Sequence, residues 1–346
     1  MAGLPGFFSS RQPAKRRQQP DGPMRQGSYQ YVYGPVASRR LGQSLGVDLV
    51  PFKSCSYDCI YCQLGRTTKK TVECDEHVAV DAVLAEVRDK LREGPRPDFI
   101  SLAGSGEPTL NARIGDIVTG IKALTDVPVA VLTNGSLLWR PEIRAALSAA
   151  DLVMPSLDAG DPSTFQRVNR PHTDISFEQM VDGLLTFSRE FRGTVWLEVF
   201  LLAGITNRRE GVEQIAGIAD RMRLDRVQLN TVSRPAADAS ALTVSREHLE
   251  ELCSVFSVPC EPISESSPCD HVDCTSSENA LARIVSLVSR RPCTVQGIAS
   301  GLGLHPNEVQ KALDVLCAKG AVGSERAAGA VFFKGVLCRT GPESDE

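Results

Sequence analysis

The sequence predicts an α/β protein whose parallel sheet forms an open, partial barrel. Six apolar segments of strand length alternate along the chain with stretches of helical periodicity. Several of these segments end in polar or glycine-bearing tips, such as AGSGEP and LTNG, which is typical of the carboxyl ends of parallel strands. Because six strand–helix units are too few to close an eight-stranded barrel, the barrel should remain open.

The six units follow one another through the first three quarters of the chain. The predicted strands are GVDLV (46–50), DFISLAG (98–104), PVAVLTNG (128–135), DLVMPSLDAG (151–160), GTVWLEVFLLAG (193–204) and DRVQLNT (225–231). The predicted helices between and after them are AVDAVLAEVRDKLREG, IGDIVTGIKAL, PEIRAALSAA, SFEQMVDGLLTFSREF, GVEQIAGIADRM and REHLEELCSVF. This alternation favours helices packed on the outer face of the sheet.

Composition changes divide the chain into four parts. Residues 1–29 form a basic tail rich in Gln, Arg and Pro, which should be disordered. The partial barrel should occupy residues 30–265 and a polar linker residues 266–277. Residues 278–340 read as three short helices and a hairpin, with Pro306 in a first helical turn and Gly320 at a helix end. That order is typical of a winged-helix domain.

Composition also excludes several classes of protein. A net charge of -4 gives no global nucleic-acid signal, and no apolar stretch is long enough to span a bilayer. The N-terminus has no apolar segment behind a basic start, so no signal peptide is predicted. Eleven cysteines in a chain without a secretory signal favour a reducing, cytoplasmic location and metal or redox chemistry over disulfides.

The stretch CSYDCIYC carries the most specific chemistry. Cys55, Cys59 and Cys62 can bind three irons of a four-iron, four-sulfur cluster, which leaves one iron open for another ligand. The alternative is a structural zinc site, whose fourth ligand could be Cys74 or His77.

A CxxxCx-aromatic-C loop after the first strand of a partial α/β barrel resembles the radical SAM superfamily. The resemblance implies a [4Fe–4S] cluster and S-adenosylmethionine (SAM) as cofactors, with an electron donor such as flavodoxin or ferredoxin. It also implies that the reduced cluster cleaves SAM to methionine and a 5′-deoxyadenosyl radical, which attacks a substrate. Three stretches, YGPVASRRLGQSLGVDLVPFKSCSYDCIYCQLG, RVNRP and VQLNTVSRP, resemble the wyosine-type Fe–S oxidoreductase branch. The substrate, RNA or protein, stays open.

The same resemblance implies roles for individual residues at the strand tips. Cys55, Cys59 and Cys62 match the cluster ligands, and Tyr61 matches an aromatic residue near the adenine. The expected SAM contacts are Gly104, Gly106, Glu107, Thr133, Asn134, Ser156, Asp158 and Glu198, with Asn230 as a weaker member. Ser105 departs from the Gly-Gly-Glu stretch of the superfamily.

Charged residues near the predicted strands allow two further expectations. Glu198 is a carboxylate in an apolar strand, and because an unpaired buried charge is costly, it should face a ligand in the barrel interior. Arg39 and Arg40 precede the first predicted strand, where they could meet an anionic substrate group or lie on the surface.

The other cysteines leave alternatives open. A second cluster or a zinc ion could be bound by Cys253, Cys260, Cys269 and Cys274, with His271 between the last two, or these could be free cysteines. The core of the small domain should contain Cys293, Cys317 and Cys338.

Two function classes compete: a radical SAM enzyme, and an iron–sulfur redox-sensing regulator that binds nucleic acid. The strand-tip residues favour the enzyme, because a sensor needs no SAM contacts. Residues 276–340 hold eight Lys or Arg against four Asp or Glu, and the third helix carries Glu308 and Asp314. This charge balance is too weakly positive for sequence-specific DNA recognition. The small domain is therefore predicted to assist substrate capture.

Overall fold

A computed structural model of the chain describes residues 29–263, 277–327 and 329–336. The strands, in chain order, are β1 Val32–Ser38, β2 Gly42–Val47, β3 Ser54–Cys55, β4 Lys69–Lys70, β5 Phe99–Leu102, β6 Val129–Thr133, β7 Leu152–Pro155, β8 Thr194–Leu201, β9 Arg226–Thr231, β10 Cys260–Pro262, β11 Val322–Ala327 and β12 Ala330–Gly335. The helices are α1 Val80–Glu93, α2 Ile114–Leu124, α3 Pro141–Leu147, α4 Pro162–Val168, α5 Phe177–Glu190, α6 Arg209–Ala219, α7 Arg246–Cys253, α8 Ser277–Arg290, α9 Val295–Leu302 and α10 Pro306–Ala318.

The main sheet has eight strands in the order β1-β2-β5-β6-β7-β8-β9-β10. Only the β1–β2 pair is antiparallel; the pairs from β2 through β10 are parallel. The prediction of an α/β fold with a mostly parallel sheet is therefore confirmed, and the six predicted strands are β2 and β5 to β9. The first of them ends at Val47 rather than at residue 50, and the Asp48 carboxylate just beyond it accepts from the Ser105 amide.

Four strands and one helix were missed, each for a local reason. Strands β3 and β4 have two residues each, too few to show a pattern. β1 contains Gly34 and Pro35, which mark a turn in most sequences but are tolerated in an edge strand. β10 has three residues, too few to show a period. Helix α4 is short and begins at Asp161, whose carboxylate accepts from the Thr164 amide.

Side chains of β8 show how the sheet separates core from interior. Leu197, Val199 and Leu201 are buried in the main core with the helices. The alternate residues Trp196, Glu198 and Phe200 point to the opposite face, which is the inside of the partial barrel. Part of this interior is filled by Leu41, from the β1–β2 turn. Leu41 packs with Ala130 of β6 and with Leu152 and Met154 of β7.

The C-terminal segment contains the three helices and the hairpin that were predicted, as α8 to α10 and β11–β12. Pro306 stands in the first turn of α10, and Gly320 follows the helix with a φ of 68°. This segment packs on the edge strand β1, because Val36 belongs to its hydrophobic cluster and Tyr33 lies against it. Its classification as a winged helix stays a prediction.

Some predictions fall partly or wholly outside the described residues. These are most of the tail (1–29), most of the linker (266–277), Cys269, His271, Cys274 and Cys338. Cys293 is buried as predicted, but the prediction for Cys317 is wrong, because its side chain is exposed on α10. No helix in the described part of the chain is long and apolar enough to cross a membrane.

Candidate active site

The three-cysteine loop is held in place by the segment that follows α4. The Asp58 amide donates to the Asn169 carbonyl at 3.0 Å, and the Ile60 amide donates to the Val168 carbonyl at 3.0 Å. The stretch RVNRP therefore has a structural task, which is to anchor the backbone between the cysteines.

Each of the three cysteine sulfurs has a side-chain N–H donor. The donor–sulfur pairs are Asn134 Nδ2 to Cys55 at 3.5 Å, Asn169 Nδ2 to Cys59 at 3.6 Å and Lys53 Nζ to Cys62 at 3.2 Å. Donors of this kind stabilise negative charge on sulfur and tune a bound metal centre. The donor set therefore fits a cluster held by three thiolates.

Burial keeps the metal-free thiols of Cys55 and Cys59 neutral. It raises the pKa of Cys55 to about 12, with a further contribution from the nearby Glu107 carboxylate. Burial also raises the pKa of Cys59 well above its ordinary value. Iron bound at Cys55 or Cys59 would therefore displace a proton from the sulfur, and the N–H donors would stabilise the resulting thiolate.

Glu107 joins three of the predicted SAM residues into one network. Its carboxylate is buried and accepts from the hydroxyls of Thr109 and Thr133, both at 2.6 Å, and from the Asn134 amide at 2.8 Å. Burial raises the pKa of Glu107, while these hydrogen bonds oppose the rise. Since Asn134 also donates to Cys55, the network leads directly to the cysteine loop.

Gly104 and Gly106 are required by close approaches of the loop after β5. A Cβ atom at Gly106 would lie 1.9 Å from the carbonyl oxygen of Ser54, and one at Gly104 would lie 2.5 Å from the Asp48 carboxyl carbon. Ser105, the departure from the superfamily pattern, donates its amide to Asp48 at 3.1 Å and its hydroxyl to the same carboxylate. Both glycines thus have a packing role, and their contact with SAM stays a prediction.

Asp158 joins Tyr61 to the second cysteine. The carboxylate accepts from the Tyr61 hydroxyl, from Asn169 Nδ2 at 2.7 Å and from the Phe200 amide at 3.0 Å. Tyr61 stacks on Phe200 with ring centroids 4.0 Å apart. Because Asn169 also donates to Cys59, this network reaches the cysteine loop at Cys59, whereas the Glu107 network reaches it at Cys55.

Asp158→Asn should make the free energy of unfolding of the cluster-free protein less dependent on pH. Burial raises the pKa of Asp158 from 3.8 to about 6, so the folded state binds this proton more tightly than the unfolded chain. The resulting stabilisation is complete below the unfolded pKa and is lost as pH rises through the folded pKa.

Between pH 5 and pH 7.5, the wild type should therefore lose about 1 kcal/mol more stability than the variant. Urea unfolding followed by tryptophan fluorescence measures this difference. The same pH dependence in both proteins would show that Asp158 ionises normally.

Glu198 lies in the barrel interior as predicted, but the premise that it has no partner is wrong. Its carboxylate is paired with Arg40 at 2.8 Å and accepts from Asn230 at 2.7 Å. These partners lower the pKa of Glu198 against the effect of burial. Ser156, just past the end of β7, forms a backbone bridge with Glu198 in the middle of β8, so the two residues are neighbours.

Lys53 and Asn169 are the site residues that sequence reasoning missed. Lys53 is 3% exposed and has a φ of 60°, a conformation rare for this residue type, and nothing in PFKSC indicates it. Asn169 lies within RVNRP, a stretch that resembles the wyosine-type Fe–S oxidoreductase branch. That resemblance was the signal that could have indicated a role for Asn169.

Lys53→Met should lower the reduction potential of the bound cluster by about 60 mV or more. The ammonium lies 3.2 Å from Cys62, and a hydrogen bond to a charged group contributes about 1.5–3 kcal/mol, which for a one-electron couple corresponds to about 60–130 mV. Potentiometric titration followed by electron paramagnetic resonance (EPR) measures it. Lys69→Met, at an exposed site nearby, is the control, and equal potentials in both variants would contradict the assigned contact.

Cys74 is positioned apart from the other three. Its thiol lies 3.4 Å from the Thr109 carbonyl oxygen and 3.8 Å from Arg140 Nη1. Among residues 29–263, 277–327 and 329–336, no group of three or more His, Cys, Asp or Glu side chains is placed to hold a single metal ion. Cys253 and Cys260 do lie together, with sulfurs 2.7 Å apart, but the other proposed members of that site are outside the described residues.

Comparison with known proteins identifies the class. A family model of the radical SAM superfamily matches residues 49–215. A UPF0026 protein of Helicobacter pylori strain J99 is 33% identical over 279 residues, covering 80% of this chain and 88% of that protein. A GTPase Obg of Brachyspira hyodysenteriae is 38% identical over 303 residues, covering 87% of this chain and 45% of that protein. This chain thus spans less than half the length of that relative.

Among solved structures, a radical SAM methyltransferase from Sphaerobacter thermophilus is similar, with 16% identity, a TM-score of 0.48 and coverage of 63% of this chain and 65% of that one. The chain belongs to the UPF0026 family and, with it, to the radical SAM superfamily. The predicted membership is confirmed, and the two predicted cofactors, the [4Fe–4S] cluster and SAM, are those of this superfamily.

Proposed function

We propose that this chain is an enzyme that binds a [4Fe–4S] cluster through Cys55, Cys59 and Cys62 and uses it to cleave SAM reductively. When bound and reduced, the cluster supplies the electron that breaks the bond between sulfur and C5′ of SAM, giving methionine and a 5′-deoxyadenosyl radical. The observation that carries the proposal is the placement of three partly buried thiols in one loop, each with its own N–H donor.

The residues around the loop have the tasks of binding SAM and excluding water. We assign SAM contacts to Tyr61, Gly104, Gly106, Glu107, Thr133, Asn134, Ser156, Asp158 and Glu198. Two buried networks support this assignment, since the Glu107 network reaches Cys55 through Asn134 and the Asp158 network reaches Cys59 through Asn169. Their carboxylates are suited to polar groups of SAM such as the ammonium and the ribose hydroxyls.

Anaerobic incubation of the reconstituted protein with SAM and dithionite tests the proposal. The expected products are 5′-deoxyadenosine and methionine, detected by mass spectrometry. Absence of both products from a protein that holds its cluster would contradict it. Tight, sequence-specific duplex binding by such an inactive protein would favour the redox-sensing regulator.

The substrate and the electron donor are part of the proposal. We expect a flavodoxin or ferredoxin as the donor and an RNA or a protein as the substrate, with residues 277–336 assisting its capture. Adding RNA or protein fractions of a cell extract to the same reaction, followed by mass spectrometry, shows which fraction is modified. Removing the C-terminal segment is not a clean test of substrate capture, because Tyr33 and Val36 of the barrel pack against it.

A further inference from the structure

Three arginines from two distant parts of the chain meet at the open side of the barrel. Arg39 and Arg40 lie in the turn between β1 and β2, and Arg234 follows β9. Because β1 and β10 are the two edges of the sheet, contacts from this turn to β8 and β9 cross the opening. Arg40 reaches Glu198 at 2.8 Å, and Arg39 reaches the Ser233 hydroxyl at 3.1 Å. We call Arg39, Arg40 and Arg234 the arginine cluster.

Around Arg39 and Arg40, positive charge exceeds negative charge in the described part of the chain. Arg40 is paired with Glu198, whereas Arg39 has no carboxylate within 4.0 Å there and donates to the Ser233 hydroxyl. Burial and repulsion from Arg234 and Arg40 lower the pKa of Arg39 to about 10, so Arg39 stays charged at neutral pH. A buried excess of guanidinium groups is costly unless an anion neutralises it.

The arginine cluster lies beside the proposed chemistry. Arg234 Nη1 donates to the side chain of Gln63 at 3.2 Å, and Gln63 directly follows Cys62 in sequence. On the other side, the charge of Glu198 acts on Asp158. A group held by these arginines would therefore lie next to both the cysteine loop and the Asp158 network.

We propose that the arginine cluster binds an oxyanion of the substrate, a phosphate or a carboxylate, and positions the substrate beside the cysteine loop. The planar guanidinium group is suited to this task because it donates two parallel N–H bonds to either anion. The inference rests on the proposed function, since it assigns the anion to the substrate of that reaction. It narrows the substrate class to molecules with an accessible phosphate or carboxylate.

Titration of the full-length, cluster-loaded protein with inorganic phosphate tests the inference. Binding is followed by phosphorus NMR at constant ionic strength, kept with chloride. The wild type should bind phosphate saturably, and Arg39→Gln and Arg234→Gln should each weaken binding about tenfold or more. Arg39→Lys, which keeps the charge, should weaken binding less. The control is Arg209→Gln, which removes an exposed pair with Glu213 and should bind like the wild type.

The outcomes separate this inference from its alternatives. Linear, unsaturable binding, or equal loss in the Arg209→Gln control, would overturn it. If SAM displaced phosphate from the wild type, the arginine cluster would bind the SAM carboxylate, and its assignment to the substrate would be wrong. If the melting temperature shows that Arg39→Gln does not fold, phosphate binding by Arg234→Gln decides whether the inference holds. Phosphate binding needs no reductant and no turnover. The protein can therefore fail to bind phosphate while it cleaves SAM, or bind phosphate while it fails to cleave SAM, so the two proposals are tested separately.

Discussion

Replacing Cys59 with alanine should remove the iron–sulfur absorption of the three-cysteine site and abolish reductive SAM cleavage. Two thiols cannot hold a cluster that three thiols bind through separate irons. The loss should be complete because the nearest other described thiol in sequence, Cys74, contacts Thr109 and Arg140 instead of the loop. Absorption spectroscopy, iron analysis and 5′-deoxyadenosine formation measure the effect.

Cys74→Ala is the matched control for this experiment. It also removes a partly buried thiol, but it should keep the cluster and the cleavage. Undiminished cleavage by Cys59→Ala would end the radical SAM interpretation of this loop. A colourless wild-type protein with bound zinc would instead support the structural zinc alternative.

Glu107→Ala should lower the free energy of unfolding by about 4 kcal/mol and weaken SAM binding about tenfold or more. The variant leaves four donors without their acceptor: the amide and hydroxyl of Thr109, the Thr133 hydroxyl and the Asn134 amide. These groups are buried or partly buried, and each unpaired donor costs about 1 kcal/mol or more. Denaturant unfolding and equilibrium binding of SAM measure the two effects.

The exposed Glu73→Ala is the control and should change neither quantity. If Glu107→Ala lost stability but bound SAM as tightly as the wild type, Glu107 would be a structural residue, and its place among the SAM contacts would be withdrawn. Unchanged stability would contradict the hydrogen-bond network itself.

The parallel strands could be predicted because their pattern is local. Leu152 to Pro155 are all buried, which gives the continuous apolar run typical of a strand covered on both faces. The edge strands escaped prediction because their pairing partner, and not their own pattern, makes them strands. β1 is defined by its ladder with β2, and β10 by its ladder with β9.

The sequence predicted which site residues follow the strands, but it did not predict their hydrogen-bond and ion-pair partners. Glu107, Thr133 and Asp158 do lie at or beyond the strand ends, as their positions in the sequence indicated. The partner of Glu198 is Arg40, more than 150 residues earlier in the chain, and no local pattern connects the two. Lys53 reaches Cys62 through a backbone conformation that the sequence around it does not reveal.

The EPR spectrum of the reduced protein, recorded before and after addition of SAM, tests the central claim most directly. Three cysteines should leave one iron of the cluster without a protein ligand, and SAM should bind at that iron. The account predicts that SAM changes the g-values of the reduced cluster in the wild type and in Cys74→Ala, with no signal from this site in Cys59→Ala. A reduced cluster whose spectrum stays the same at saturating SAM would contradict it.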